Sequence, residues 1–289
     1  MRAMTKQWIA VAGLMILLAG CSSTPEEEVT LPPEVLYRQG VQAIQKNRFP
    51  VAVKRFQEVD RKHPFSPWAV RAQLNLIYAH YMDEEYEEAL SAAERFVRLH
   101  PRHPHVAYPY YMLALAHYKR IADPLRDQGH TKQAEVAFRE LIARFPDSDY
   151  AEEARRMLEL CRDRLAAQEV VVGRFYLDRD QYIAATNRFR RVVENQDFNR
   201  TPYVEEALFG LVMSSLKLGL PQEALTYAAV LGHNYADGPF YPHARAMVEG
   251  QGTISKADLK TLRKAVDETS LFKQFFEGVA PGVPGLTDR

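Results

Sequence analysis

Apolar residues recur every three or four positions along most of this chain, from about residue 34 to residue 245. A clear example follows residue 149, where the apolar positions are Ala154, Met157, Leu158, Cys161 and Leu165. This spacing places the apolar side chains on one face of an α-helix. No segment shows the strict alternation of a half-buried strand between hairpin turns. The pattern therefore predicts an all-α protein with almost no β-sheet.

The helical segments repeat as a two-helix unit. In the first unit Gly40, Ala52, Phe56 and Pro64 lie at successive spacings of 12, 4 and 8 residues. These match the tetratricopeptide signature, which has a small residue in helix A, alanine and a large residue in helix B, and a closing proline. The later units carry parts of the same signature: Tyr86, Ala89, Phe96 and Pro101; Leu113, Ala114, Ala134, Phe138, Leu141 and Pro146; Gly173, Tyr176, Tyr182, Ala185, Phe189 and Val192; Leu208, Leu211, Gly219, Ala224 and Leu231. Because one hairpin alone cannot bury its apolar face, we expect a superhelical array of about five such hairpins.

The intervals between the helix-B alanines locate two insertions, because they are 37, 45, 51 and 39 residues long against a repeat of about 34. One insertion falls in the turn of the third hairpin, at 121–131. The other precedes unit four, where an unbroken helical pattern predicts one long helix from Asp149 to Leu177. Asp147, Ser148 or Asp149 is expected to cap the start of this helix. Asp197 stands where the fourth unit would have its closing proline.

The first twenty residues are typical of a secreted chain. Arg2 and Lys6 precede an apolar run that ends at Ala19 and is too short to cross a bilayer of about 30 Å. The run closes in Leu-Ala-Gly-Cys, which resembles the bacterial lipobox, where lipid is attached to the cysteine and the chain is cleaved before it. We therefore expect lipidation of Cys21, and the alternative is an ordinary signal peptide with an incidental cysteine. The residue after the cysteine indicates the membrane in which a lipoprotein remains, and an aspartate there would favour the inner membrane. This chain has Ser22 at that position, so we expect the outer membrane.

These features divide the chain into five parts. The tether after Cys21 contains prolines and like charges that disfavour packing. The predicted parts are a lipoprotein signal peptide at 1–20, a flexible tether at 21–33, repeats one to three at 34–148, the long linking helix with repeats four and five at 149–250, and a partly helical or disordered tail at 251–289.

Charge and composition argue against several classes of function. The chain has 37 basic and 37 acidic residues, so it lacks the basic excess of a nucleic-acid binder. Cys161 lies among apolar neighbours, which predicts a buried packing residue. His100, His103 and His105 lie close together, but two prolines stiffen this run at a repeat turn, so we expect no metal site. The sequence has no phosphate loop, nucleophile elbow or His-Glu-x-x-His motif, so we expect neither enzyme activity nor a cofactor.

Local motifs at the repeat junctions resemble the BamD family, the repeat lipoproteins of the bacterial outer-membrane β-barrel assembly machine. The resemblance covers roughly residues 15–245, whereas the third hairpin loop is shorter than in some relatives and the tail after about 250 has no counterpart. The motifs are His63-Pro64-Phe65-Ser66-Pro67-Trp68, the run from Gln73 to Ala79, the run from Arg95 to Pro104, Phe145-Pro146-Asp147-Ser148, the run from Arg162 to Ala166, and Asn187-Arg188.

The resemblance implies a scaffold without chemistry of its own, held by lipid on the outer membrane and facing the periplasm. It implies that the C-terminal repeats dock a periplasmic POTRA domain of the barrel subunit BamA and support other subunits of the complex. It also implies that the N-terminal repeats receive the terminal strand of unfolded outer-membrane proteins. The alternatives are a periplasmic repeat lipoprotein that acts as an adaptor for cell-wall or polysaccharide-export machinery, and a repeat module that regulates a cell-wall hydrolase.

Helix A lines the concave face of a tetratricopeptide array, and helix A of the first three units is rich in tyrosine. We expect a client groove there, with Arg71 at its rim to bind a terminal carboxylate. The alternative is that the tyrosines pack between helices. For the partner interface we expect Arg188, and the alternative is an ion pair with an acidic residue of the same array. The residues of the expected groove are Tyr37, Arg71, Tyr78, Tyr81, Tyr108, Tyr111 and Tyr118.

Overall fold

A computed structural model describes residues 31–121, 124 and 126–269, and this part of the chain folds into twelve α-helices without a strand. The predicted signal peptide and Cys21 lie outside the described residues. The helices are α1 Pro33–Gln45, α2 Phe49–Lys62, α3 Pro67–Met82, α4 Tyr86–Leu99, α5 Ala107–Lys119, α6 Gly129–Arg144, α7 Ala151–Leu177, α8 Tyr182–Glu194, α9 Tyr203–Lys217, α10 Pro221–Asn234, α11 Tyr241–Val248 and α12 Lys256–Thr269.

The helices α1 to α10 pack as five consecutive hairpins, each against the next, so the all-α array predicted from the sequence is confirmed. The alanines that define helix B lie at the helix crossings and are fully buried. In the first hairpin a Cβ on Gly40 would lie 2.5 Å from the ring of Phe56, so only glycine allows this approach. The same geometry recurs in the fourth hairpin, where Gly173 meets Phe189.

The long helix α7 joins two halves of the array. It begins at Ala151 and ends at Leu177, two residues later than predicted at its start. Its first half, including Cys161, belongs to the apolar core of units two and three, whereas its second half, from Leu165, belongs to the core of units four and five. One continuous helix therefore connects two separate cores.

The prediction that Asp147, Ser148 or Asp149 caps the start of α7 is wrong. The residue before the helix is Tyr150, no side chain caps it, and the hydroxyl of Ser148 instead donates to the carbonyl of Phe145 at 2.9 Å. The chain turns here through backbone hydrogen bonds, and the side chains of Asp147 and Asp149 are exposed.

Asp197 has a structural role at the position where a proline was expected. Its carboxylate accepts hydrogen bonds from Arg162 of α7 at 2.5 Å and from Arg139 of α6 at 3.1 Å. The turn after unit four is thereby connected to unit three through ion pairs.

The segment predicted as a partly helical or disordered tail contains α12, and this helix is part of the fold. Leu259 and Val266 of α12 are buried in the core of units four and five. Arg263 pairs with Asp178, just after the end of α7, and Asp267, one turn further along α12, pairs with Arg174, one turn back along α7. Therefore α12 runs antiparallel to α7. Among the helices of the described residues, none is both long enough and apolar enough to cross a membrane.

Candidate interaction surfaces

The tyrosines of the expected client groove lie between helices and not on an open surface, which corrects the prediction. Tyr78 is half-buried, and the others are at most 7% exposed. The reason is that α1 packs against α3 and α3 packs against α5, so helix A of units one and two faces helix A of the next unit and not open solvent. The five corrected residues are Tyr37, Tyr81, Tyr108, Tyr111 and Tyr118.

These rings form a continuous aromatic wall inside units two and three. Tyr111 stacks on Tyr150 of the turn before α7 with 5.0 Å between ring centroids, and Tyr108 lies 5.8 Å from the same ring. Burial raises the pKa of Tyr150 to about 12 and that of Tyr108 well above its usual value, so both remain neutral at physiological pH. The hydroxyls of Tyr81 and Tyr108 are buried without a hydrogen-bond partner. The wall is a rigid packing element.

Arg71 and Tyr78 are the two predicted groove residues that solvent reaches. They are seven residues apart on α3 and therefore lie on one helix face, about 10 Å apart along the axis. The guanidinium of Arg71 lies 5.5 Å from the centre of the Trp68 ring. Beneath it, the hydroxyl of Tyr37 accepts a hydrogen bond from Asn75 at 3.2 Å. The positive charge of Arg71 and the partly exposed ring of Tyr78 are thus accessible to solvent, whereas the ring of Tyr37 is buried.

Arg188 makes the ion pair that was the alternative to a partner contact. Its guanidinium lies 3.1 Å from the carboxylate of Glu169 on α7, and Arg191 lies 3.5 Å from the same carboxylate. Glu169 and Arg191 line an open depression of about 640 Å³ between α6, α7 and α8, and Arg188 adjoins it through its contact with Glu169. Arg188 is one-third exposed, so part of its charge remains accessible while one donor is engaged.

The concave face of units four and five carries a charged cluster that the sequence did not predict. Arg174 of α7 donates two hydrogen bonds to Glu206 of α9, at 2.6 and 2.5 Å, and two to Asp267 of α12, at 3.0 and 3.2 Å. Arg263 of α12 approaches Glu206 to 3.5 Å. Burial alone would lower the pKa of Arg174, but the hydrogen bonds and charges of its two acidic partners outweigh burial and raise it.

This cluster fixes α12 across the face that α7 and α9 line. Beside it lies a groove of about 1010 Å³ whose wall includes Leu177, Met213, Met247 and Ile254. The sequence carries no clear signal of the cluster, because acidic residues such as Glu206 are common in the first turn of a helix.

The histidine and cysteine side chains that invite a chemical role can be located in the structure of the described residues. The described residues contain no group of three or more histidine, cysteine or acidic side chains arranged to hold a metal. The ring of His103 contacts that of His100 edge-on and that of His105 at a tilt in the turn after α4, and burial lowers the pKa of His103. Cys161 is a free, buried thiol whose pKa is raised by burial.

Comparison with known proteins gives a consistent result. The family model "YfiO: Outer membrane lipoprotein" matches residues 30–231. The outer membrane protein assembly factor BamD of Caulobacter vibrioides is 36% identical over 250 residues, which cover 84% of this chain and 81% of the relative. The protein of the same name from Rickettsia prowazekii is 34% identical over 247 residues, which cover 85% and 98%. That of Neisseria meningitidis serogroup A is 33% identical over 255 residues, which cover 83% and 95%.

Proposed function

We propose, because this chain belongs to the YfiO family of outer membrane lipoproteins, that it is a non-enzymatic scaffold of the outer-membrane β-barrel assembly complex. The observation that carries the proposal is the match of residues 30–231, which spans all five hairpins of the array up to Leu231. The curated relatives are outer membrane protein assembly factors. The scaffold presents helix faces to partners, and its buried polar groups serve packing.

The anchor of this scaffold is a lipidated Cys21, which holds the chain on the outer membrane facing the periplasm. The sequence around the cysteine supports this, and several acyl chains at about 0.8 kcal/mol per buried CH₂ give stable attachment. Mass spectrometry of the mature N-terminus should find acyl groups on Cys21. The Cys21→Ala variant should no longer be recovered in the outer-membrane fraction. An unmodified N-terminus at another residue would exclude the anchor.

The C-terminal half docks the periplasmic POTRA domain of the barrel subunit BamA. The support is the family, together with the charged rim of the depression next to Arg188. Arg188→Glu would place two carboxylates together at Glu169, so Arg188→Gln is the cleaner change. It should lower the recovery of the barrel subunit in co-purification from detergent-extracted membranes.

Two matched variants separate a contact from a structural effect. Arg191→Gln removes a charge from the same carboxylate at a more exposed position, and Glu169→Gln breaks the pair while it keeps both arginines. Only Arg188→Gln should reduce recovery. Equal reduction by Glu169→Gln would assign Arg188 to the fold and not to the partner.

The client site lies on α3, where Arg71 and Tyr78 share a solvent-accessible face. The free carboxylate of a client's terminal strand pairs with Arg71, a charge-assisted bond of about 1.5–3 kcal/mol, and an apolar side chain lies on Tyr78. Binding of a terminal-strand peptide should weaken when the peptide is amidated and similarly for Arg71→Ala. The two losses should not add, because they remove one interaction.

Arg38→Ala is the matched control, because Arg38 is exposed on α1 and pairs only with Glu34 in its own helix. It should leave peptide affinity unchanged. Additive losses for amidation and Arg71→Ala, or full affinity of Tyr78→Ala, would locate the client elsewhere.

A further inference from the structure

We infer that the edge of units one and two beside the tether is a contact surface for an anionic phospholipid membrane. This tether edge consists of Arg61, Phe65, Leu99 and Arg102. The inference rests on the proposed lipid anchor, which brings this edge to the membrane. Phe65 is fully exposed and Leu99 is 56% exposed. A fully exposed aromatic ring beside arginines is the composition that membrane interfaces bind.

The two turns that carry these residues lie next to each other. The amide of Gln73, on α3, donates to Asp60 at the end of α2 at 2.6 Å, and its carbonyl oxygen lies 2.9 Å from the ring nitrogen of His100 after α4. These contacts connect the turn after α2 to the turn after α4. The residues of the tether edge therefore belong to one surface.

The chain enters the fold at this same edge. The ring nitrogen Nε2 of His63 lies 3.1 Å from the carbonyl oxygen of Leu31, the first described residue. Cys21 precedes Leu31 by ten residues, which span at most about 35 Å even when fully extended. A lipid on Cys21 thus keeps the tether edge near the bilayer, whatever the path of the tether.

The charge of the edge fits an anionic surface. Residues 61–66 and 98–106 contain no acidic residue. The carboxylate of Asp60, which directly precedes the first of these stretches, is 10% exposed and engaged by Arg95 and Gln73. The equivalent turns of the later units carry acids, among them Asp147 and Asp237. The turns after units one and two therefore carry positive charge without an acidic residue, unlike the turns after units three and five.

The test uses the full mature chain with Cys21→Ser, which has no acyl chain, and measures cosedimentation with phospholipid vesicles. Binding should require phosphatidylglycerol in phosphatidylcholine vesicles and weaken with salt. The variant Arg61→Glu/Phe65→Ala/Arg102→Glu should bind at least about 25-fold more weakly, because each lost basic residue is worth about fivefold at an anionic surface.

The matched control is Lys46→Glu/Arg48→Glu/Ile183→Ala, which makes the same kinds of change at exposed residues on the opposite edge of the array. It should bind like the parent. Far-ultraviolet circular dichroism should show both variants folded. As a second readout, an environment-sensitive fluorophore on Phe65→Cys should shift to the blue with anionic vesicles, whereas the same label on Ile183→Cys should not. Cys161 is buried and does not compete for the label.

Equal vesicle binding by the two triple variants, or no blue shift at position 65, would overturn the tether edge as a membrane contact. Binding that a soluble acidic peptide reproduces, with no blue shift, would assign the edge to a protein partner and also overturn the inference. Neither result affects the anchor. Conversely, an unmodified Cys21 would overturn the proposed anchor. It would not change the vesicle measurements, because they use the Cys21→Ser chain, which has no acyl group.

Discussion

Arg174→Met should destabilise the protein more than any other single change to the charged cluster on the concave face. Arg174 holds Glu206 and Asp267 through two pairs of hydrogen bonds and is itself only 12% exposed. Methionine has a similar length and keeps the apolar contacts of the stem. The variant leaves Glu206, which is 3% exposed, with Arg263 at 3.5 Å as its nearest cation.

The magnitude follows from the burial of each partner. Breaking a buried ion pair by removing one member costs about 3–5 kcal/mol, a large part of a total stability of about 5–15 kcal/mol. Asp267 is 47% exposed, so Asp267→Asn should cost no more than about 1 kcal/mol. The double variant Arg174→Met/Glu206→Met should recover most of the loss, because apolar residues replace a buried pair at little cost.

The assay is urea unfolding followed by circular dichroism, together with limited proteolysis at the linker before α12, 249–255. Arg174→Met should lower the unfolding midpoint and expose this linker to protease, and Asp267→Asn should do neither strongly. If the single and double variants are equally unstable, the loss would come from packing, and the argument from an unpaired buried carboxylate would be refuted.

The remaining predictions concern packing, pH and a surface pair. A Cβ on Gly210 would lie 2.5 Å from the ring of Phe189, so Gly210→Ala should lower the melting temperature. In a Phe189→Leu background the ring is gone, and the same change should raise the melting temperature, because alanine exceeds glycine in helix propensity by about 1 kcal/mol. A shift of the same sign in both backgrounds would contradict this prediction. Burial raises the pKa of Glu205, although the N–H of Phe240 opposes the shift, so its contribution to stability is present at acidic pH and is lost as pH rises through the folded-state pKa. Glu205→Gln should therefore raise the melting temperature at neutral pH, with a gain that shrinks on acidification, and a pH-independent difference would contradict it. Asp197→Ala should cost at most about 1 kcal/mol in urea unfolding, since the carboxylate is 40% exposed, and a larger loss would show that it links units three and four more strongly than a surface pair does.

Most of the fold was predictable because the residues that pack the two helices of a hairpin lie at fixed spacings within that hairpin. Gly40 and Phe56 meet within one hairpin, so their spacing in the sequence is fixed and recognisable. Gly210 was missed because its contact is with Phe189 of the preceding unit, and a signature read within one hairpin contains no information about the next. The position of α12 was missed for the same reason, since Arg174 and Asp267 are brought together only by the complete array.

The site was less predictable, because helical periodicity does not distinguish a concave surface from the seam between two adjacent A helices. Tyr108 and Tyr111 of α5 are buried, and Tyr150 contacts both rings from the turn before α7. That turn belongs to an insertion with no place in the repeat. Arg71 and Tyr78 escaped such cover, and they remain the accessible part of the expected groove.

The two cores joined by α7 give the halves of the array different access to partners. In units four and five, α12 lies on the A helices and is held there by Arg174 and Arg263, so the concave face of this half is occupied by the chain itself. In units one and two, the exposed face of α3 with Arg71 has no such cover among the described residues. On the proposal that a client binds the concave face, we expect an extended client to be confined to the N-terminal half for as long as α12 stays in place. Partners of the C-terminal half must then use its other faces, such as the depression beside Arg188, unless they displace α12.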